Sequence, residues 1–166
     1  GLQKGTIYLQ HVEETKYLTL DSLIMNSTEN FELGCNLEEA EMLFISLSKD
    51  INADRISFFG SKETKINTTL KRFTFDAEIE GGAQQELLES YYENMARFNN
   101  QKLELIKNKI IAQKESDQEL VKEIQLKIDN SIKRSYLYSI NFAINNKNSE
   151  VAPYLAVAEV YDANVR

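Results

Sequence analysis

Residues 81–146 read GGAQQELLESYYENMARFNNQKLELIKNKIIAQKESDQELVKEIQLKIDNSIKRSYLYSINFAINN, a polar run in which no glycine or proline follows Gly82. Glycine and proline are the residues that most often interrupt a helix. The residues that dominate here, such as glutamate, lysine, leucine and isoleucine, lose little rotamer freedom in one. The run is long enough for two helices of about 30 residues, each about 45 Å long at 1.5 Å per residue.

Apolar residues recur at helical spacing in two series. Each series places one apolar stripe on an otherwise polar helix, which the other helix, the preceding region or a partner chain must cover. No strict heptad is sustained, so the pattern favours packing within one chain over a coiled-coil dimer. The first series is Leu88, Tyr91, Met95 and Phe98, continued by Leu103, Ile106 and Ile110; the second is Leu120, Ile124, Ile128, Ile132, Tyr136 and Ile140.

Five polar residues, Lys114 to Gln118, separate the two series. Ser116 and Glu119 have the spacing of a capping box, which predicts that a second helix starts there. We therefore expect an antiparallel helical hairpin with a short connection. A single longer helix is the alternative, because no glycine or proline forces the break.

The region before Gly81 has the pattern of short strands separated by polar turns. His11 to Lys16 is polar and predicts a loop, and Asn26 to Asn30 predicts a turn. Seven strands without intervening helices imply antiparallel pairing in a sandwich or partly closed barrel. The predicted strands are Thr6–Leu9, Tyr17–Met25, Phe31–Leu33, Met42–Leu47, Arg55–Phe59, Thr64–Thr68 and the alternating run Phe73–Glu80.

The predicted fold is therefore of the α+β class. An antiparallel β-sandwich-like domain covers residues 4–80, and a helical hairpin with a short C-terminal helix covers residues 81–166. Asn148 or Ser149 can cap that last helix, and Pro153 fits if it lies in its first turn. Val151 and Leu155 begin the apolar side of this helix.

Composition excludes several classes of protein. Apolar residues make up 42% of the chain, which is too many for a disordered protein. The net charge of −7 argues against binding to nucleic acid, whose backbone requires clustered cations. No apolar run approaches the roughly 18 residues of a membrane span, and no signal peptide is present. Because the chain begins abruptly at Gly1-Leu2, close to the first strand, we expect that a natural leader precedes it.

No residue set has the pattern of a catalytic, cofactor or metal site, so we expect a protein that is not an enzyme and binds no cofactor. His11 is the only histidine and has no second ligand near it in sequence, which predicts a loop residue. Cys35 is the only cysteine, so it cannot form an internal disulfide, and we expect a small buried or strand-end thiol. Ser22 follows Asp21 without the glycines of a nucleophile elbow.

The acidic clusters Glu13-Glu14 and Glu38-Glu39-Ala40-Glu41 lack the ligand spacing of a calcium loop, which predicts solvated turns. Gly81-Gly82 is not a phosphate loop and predicts the junction between strand and helix. One aromatic set remains as a candidate lining for a sugar or peptide groove, although tyrosines at helical spacing more often edge a core. The set comprises Tyr91, Tyr92, Tyr136, Tyr138 and Tyr154.

Three N-terminal segments, Lys4–Leu9, Leu20–Ile24 and Asn30–Gly34, resemble a known family, and Phe75–Gln85 resembles its closing strand and helix entry. The family is domain-of-unknown-function family 4369, found mainly in envelope proteins of Bacteroidetes. Asn146–Leu155 is similar to the segment that follows the helices in longer relatives.

The resemblance implies an extracytoplasmic protein, periplasmic or held at the outer membrane by a lipid anchor on its leader. Many relatives carry this region ahead of a thioredoxin-like domain with a Cys-x-x-Cys motif, which this chain lacks. We therefore expect a non-catalytic envelope binding or interaction module that contacts a protein partner or a second copy. The alternative is an accessory domain that positions or dimerises a thioredoxin-like thiol-disulfide enzyme.

Overall fold

The computed structural model describes residues 5–25, 30–37, 40–62 and 64–160. The fold is mixed α+β, with antiparallel strands first, then two long helices and one short helix. The chain divides into two compact units, residues 1–86 and residues 87–166. Within the described residues, no helix combines the length and apolarity needed to cross a membrane.

Four antiparallel strands form the main sheet, in the order β2-β1-β3-β4. A two-stranded sheet of β5 and β6 accompanies it, so the predicted antiparallel pairing is confirmed. A bulge between Leu9 and Gln10 interrupts the register of β1 with β2. The strands are β1 (Gly5–Glu13), β2 (Lys16–Met25), β3 (Met42–Ser46), β4 (Arg55–Phe59), β5 (Lys65–Asn67) and β6 (Glu78–Glu80).

The main apolar cluster of this β unit lies on one face of the main sheet. Alternate residues of a strand point to the same face, and here they form one buried apolar cluster. Side chains of β5, β6 and the segment 30–37 pack against it, so the two sheets face each other as unequal layers. The buried members are Ile7, Leu9, Leu43, Ile45, Ile56 and Phe58.

Three local predictions for this unit are wrong. The loop predicted from His11 to Lys16 is a tight turn at Glu14, whose φ is +56°, because β1 and β2 pair as far as Glu13 and Lys16. Phe31–Leu33 is not a strand; Leu33 packs on the core from an irregular segment. The turn predicted at Asn26–Asn30 falls largely outside the described residues.

The third error is the strand predicted over Phe73–Glu80, of which only β6 is a strand. Thr69 caps a short 3-10 turn over Leu70–Arg72, and the Thr69 hydroxyl also donates to Asp76 at 2.7 Å. These local side-chain bonds compete with the strand conformation. Phe75 is consequently 83% exposed, although period-two alternation predicted it on the same face as Ile79.

The helices are α1 (Gly82–Lys114), α2 (Gln118–Asn145) and α3 (Val151–Val160). The predicted break is confirmed, but its cap is not Ser116, which has φ +60°. Asp117 caps α2 instead, since its carboxylate accepts from the Leu120 amide at 3.0 Å. Ser149 caps α3 as expected, and Pro153 lies in the first turn.

The junction between strand and helix explains the glycine pair Gly81-Gly82. Gly82 has φ +75°, a conformation that side chains disfavour. A Cβ on Gly81 would lie 2.7 Å from that of Gln85. The Gln85 side chain is buried and accepts a hydrogen bond from the Phe59 amide at 2.8 Å, so the first turn of α1 is tied to the end of β4.

Candidate binding groove of the helical hairpin

The contacts between α1 and α2 establish an antiparallel hairpin. Near its open end the Tyr91 hydroxyl and the Ser139 hydroxyl lie 2.7 Å apart and are buried. Near the connection Ala112 packs against Ile124 and Ile128. Antiparallel packing is therefore confirmed, and these contacts define which residues of the two helices lie at the same level.

A groove of about 750 Å³ runs along one side of the hairpin, with one wall from each helix. Phe98 and Leu105, seven residues apart on α1, are its apolar lining. Most other lining groups are amides, which both donate and accept hydrogen bonds. They are Asn100, Gln101, Asn108 and Asn130, with the hydroxyl of Ser131 beside them.

Two of the four charged groups in the groove are neutralised on their own helix. Lys127 forms an ion pair with Glu123 at 2.6 Å, and Glu104 forms one with Lys107 at the same distance. Both pairs have the i,i+4 or i,i+3 spacing that stabilises helices. These groups therefore contribute little net charge to the groove.

Arg97 and Arg134 are different. Among the described residues, neither arginine has a carboxylate within 4.0 Å. Arg97 lies about 9 Å along α1 from Tyr91, toward the connection, and Arg134 lies about 7.5 Å along α2 from Ser139 in the same direction. Because Tyr91 contacts Ser139, the two arginines lie at nearly the same level of the hairpin. The groove thus has one unpaired guanidinium on each wall, a concentration of positive charge.

Arginine is used sparingly in the helices. Between residues 87 and 160 the sequence contains eight lysines but only these two arginines. A guanidinium presents donors in a planar fork that matches a carboxylate or phosphate, whereas a lysine ammonium is a point charge. The residue type at both positions is the one suited to binding an anion.

The net negative charge of the protein lies in the β unit and not in the helical unit. Residues 1–86 contain 15 acidic and 8 basic residues, which accounts for the whole net charge of −7. Residues 87–166 contain 11 of each and are neutral. The helical unit therefore lacks the general acidity that would screen a local cationic groove.

The five tyrosines singled out by sequence pack mainly within the helical unit. Tyr91 is fully buried and stacks on Tyr138, and burial raises the pKa of Tyr91 to about 12. Tyr92 has a raised pKa, first through burial and then through its hydrogen bond with Tyr154. Within the described residues, the groove lining includes none of the five, although Tyr138 touches the lining residue Phe98.

His11 and Cys35 belong to the β unit, and both predictions for them are wrong. His11 lies in β1, with its Nδ1 3.5 Å from a Glu41 oxygen. Cys35 is exposed, and its pKa is raised by partial burial and by the charges of Glu41 and Asp21. A raised pKa leaves less of the reactive thiolate. The described residues contain no group of three or more ligands suited to a metal.

The remaining candidates do not gather into one place. Glu13 ends β1, and Glu38 and Glu39 lie outside the described residues. Ser22 lies in β2, where its amide donates to the Asp21 carboxylate at 2.7 Å.

Comparison with protein families gives one match. The model of the family described as Domain of unknown function (DUF4369) matches residues 1–88, more than half of the chain. The chain belongs to the DUF4369 family. Comparisons with curated proteins and with solved structures gave no match.

The DUF4369 match ends two residues beyond the compact β unit. Two of the motifs that carry the resemblance contact each other there, because Asp21 accepts a hydrogen bond from the Gly34 amide at 2.8 Å. This bond holds the segment 30–37 against β2. The groove, in contrast, lies wholly outside the matched residues, as does Asn146–Leu155.

Proposed function

We propose that this DUF4369 protein is a non-catalytic binding module of the cell envelope and that the groove between α1 and α2 is its binding surface for an anionic partner. The observation that carries the proposal is the pair Arg97 and Arg134. Each guanidinium has donors for a charge-assisted contact, and an anion bound between the two walls would have one such partner on each side.

Two further features support binding at this groove. Its lining mixes an apolar floor with amide groups, the combination found where a site must bury surface and orient a ligand. The helical unit is also neutral, so the groove differs in charge from its surroundings. Negative charge on the partner would then speed its association with the groove, and that association would depend strongly on salt concentration.

The envelope setting rests on the family resemblance. It implies an extracytoplasmic protein, periplasmic or anchored to the outer membrane by lipid, in Bacteroidetes. The partner is then a component of the same compartment.

Cross-linking in the native cell envelope tests this proposal. A photoreactive residue at Asn130, in the groove, should trap a partner. The adduct should disappear in R97Q/R134Q and persist in K122Q/K133Q, which removes the same charge from positions of α2 outside the groove lining. An adduct that survives loss of both arginines, or that the lysine control also abolishes, contradicts the proposal. So does robust substrate turnover by the purified chain, which would end the non-catalytic assignment.

A second candidate function is that of an accessory domain for a thioredoxin-like thiol-disulfide enzyme. It is favoured by the near coincidence of the family match with one compact unit, as expected of a module that occurs beside different domains. The mass of the native protein, with a search of its digest for a Cys-x-x-Cys peptide, tests it. A native protein that ends near Arg166 contradicts this candidate.

A further inference from the structure

The shape of the groove bears on what kind of segment fits it. Phe98 and Leu105 are two helical turns apart, about 10.5 Å along α1. A ligand that covers both must present two apolar groups at that spacing. In a helix, residues i and i+7 are about 10.5 Å apart on one face.

An extended ligand does not match this spacing. Three residues of a strand span about 10 Å, but residues i and i+3 of a strand point to opposite faces. Residues i and i+2 span about 6.6 Å and residues i and i+4 about 13 Å, so neither pair reaches both apolar groups. The floor therefore favours a helical ligand.

Charge gives the ligand its second property. Arg97 directly precedes Phe98, and Arg134 lies across the groove at nearly the same level. A helix seated over Phe98 would have one flank toward each arginine. Carboxylates on both flanks, near one end of its apolar face, would meet the two guanidiniums in bidentate geometry.

We infer that the groove binds an acidic amphipathic helix from a partner protein, with its apolar face on Phe98 and Leu105 and its carboxylates on Arg97 and Arg134. This inference rests on the proposed function and names the class of its partner. Helices often bind in grooves through i, i+3, i+4 and i+7 anchors. An acidic polysaccharide fits less well, because the Phe98 ring packs at 5.7 Å from the Tyr138 ring and so has less free face on which a sugar could stack.

The probe is a synthetic helical peptide of about 18 residues, long enough for measurable helicity. It carries leucines at i, i+4 and i+7 and a glutamate on each side of the first leucine. We expect it to bind the full 166-residue chain in fluorescence anisotropy, and to bind about tenfold more weakly at high salt.

Matched variants of the protein and of the peptide then separate the effect of charge on binding from the effect of helical shape. R97Q/R134Q should weaken binding about tenfold, and K122Q/K133Q should change it less than about twofold. A peptide with glutamine in place of both glutamates should bind the chain about tenfold more weakly. A peptide with a central proline, which breaks the helix, should not bind. Circular dichroism of each protein variant confirms that it is folded.

Three results overturn the inference. If the proline peptide binds as well as its parent, the ligand need not be helical. If a polyuronate oligosaccharide binds in an arginine-dependent way and the peptide does not, the inference fails while the proposed function stands. If neither probe shows dependence on Arg97 and Arg134, both fail.

Discussion

The two units of the chain use their apolar residues differently. In the β unit one face of the main sheet is covered by a second layer, so that a single buried cluster joins β1, β3 and β4. In the helical unit the buried cluster near the connection contains only Ala112, Ile124 and Ile128. Large apolar residues of the helices remain exposed, among them Leu103, Ile110, Leu126, Leu137 and Ile144.

This difference suggests a division of roles. The stability of the β unit comes from many apolar side chains that cover one another, and this unit lies within the residues that match the DUF4369 family. The hairpin is held by this small cluster near the connection and by the buried Tyr91 and Ser139 at its open end, and it leaves several large apolar side chains exposed. Four predictions test that contrast.

The largest effect is expected in the β core. Phe58 is 5% exposed and belongs to the main cluster, so F58A should reduce the free energy of unfolding by about 3–5 kcal/mol. Urea denaturation measures the change. The control is F75A, where the ring is 83% exposed and the loss should stay within about 0.5 kcal/mol. Equal losses in the two variants would contradict the assignment of the core.

A smaller loss in the free energy of unfolding is expected from a substitution in the hairpin. Ile128 is 7% exposed, and I128A should cost about 2 kcal/mol, the low end for such a deletion, because few neighbours surround the side chain. L126A, at a position 64% exposed on the same helix, is the control and should be nearly neutral. A cost for I128A equal to that of F58A would remove the contrast between the two units.

The hydrogen bond between the buried Tyr91 and Ser139 hydroxyls should contribute less to the free energy of unfolding. Y91F removes the hydrogen bond to Ser139, which keeps a 3.1 Å bond to the Ser135 carbonyl, so we expect a loss of about 1 kcal/mol near pH 7. The unperturbed pKa of this tyrosine is 10.0 and burial raises it to about 12.

The folded state therefore favours neutral Tyr91. Its contribution is complete below pH 10 and is lost as the pH rises toward 12. The stability difference between wild type and Y91F should shrink over that range in thermal unfolding measured by circular dichroism. A difference that stays constant from pH 9 to about 12 would show that burial of the phenol does not govern its ionisation.

The smallest effect concerns the family motif. D21A removes the acceptor for the Gly34 amide and should cost at most about 1 kcal/mol, because the site is exposed. The local effect is more specific: faster hydrogen exchange at Gly34 and faster reaction of the Cys35 thiol with a disulfide reagent. S22A, which keeps that acceptor, serves as the control. Unchanged exchange at Gly34 in D21A would contradict the role of this bond.

Several parts of the fold were predictable because they depend on local chemistry. The polar break at Lys114–Gln118, the cap at Ser149 and the glycine pair before α1 are encoded within a few residues. Errors arose where two local preferences competed. At Ser116 and Asp117 either side chain could cap, and at Phe73–Phe75 a capped turn displaced the alternating strand. The exposed Cys35 follows Gly34, whose amide donates to the distant Asp21, and no local pattern contains that contact.

The candidate groove was not predictable in the same way. The sequence does carry a signal, since arginine occurs at only two positions among the many lysines between residues 87 and 160. That signal does not say that the two residues face each other. Their common level follows from the register of the hairpin, which the contacts of Tyr91 with Ser139 and of Ala112 with Ile124 set.

By itself the sequence therefore determined the class of fold, the positions of the three helices and the family of the β unit. These follow from propensity, capping and short motifs, which act over a few residues. Only the tertiary structure decided which apolar stripe is covered and that Arg97 and Arg134 share one groove, with no carboxylate of the described residues within 4.0 Å of either. Such relations join residues far apart in the chain, and they exist only once packing has fixed the register between helices.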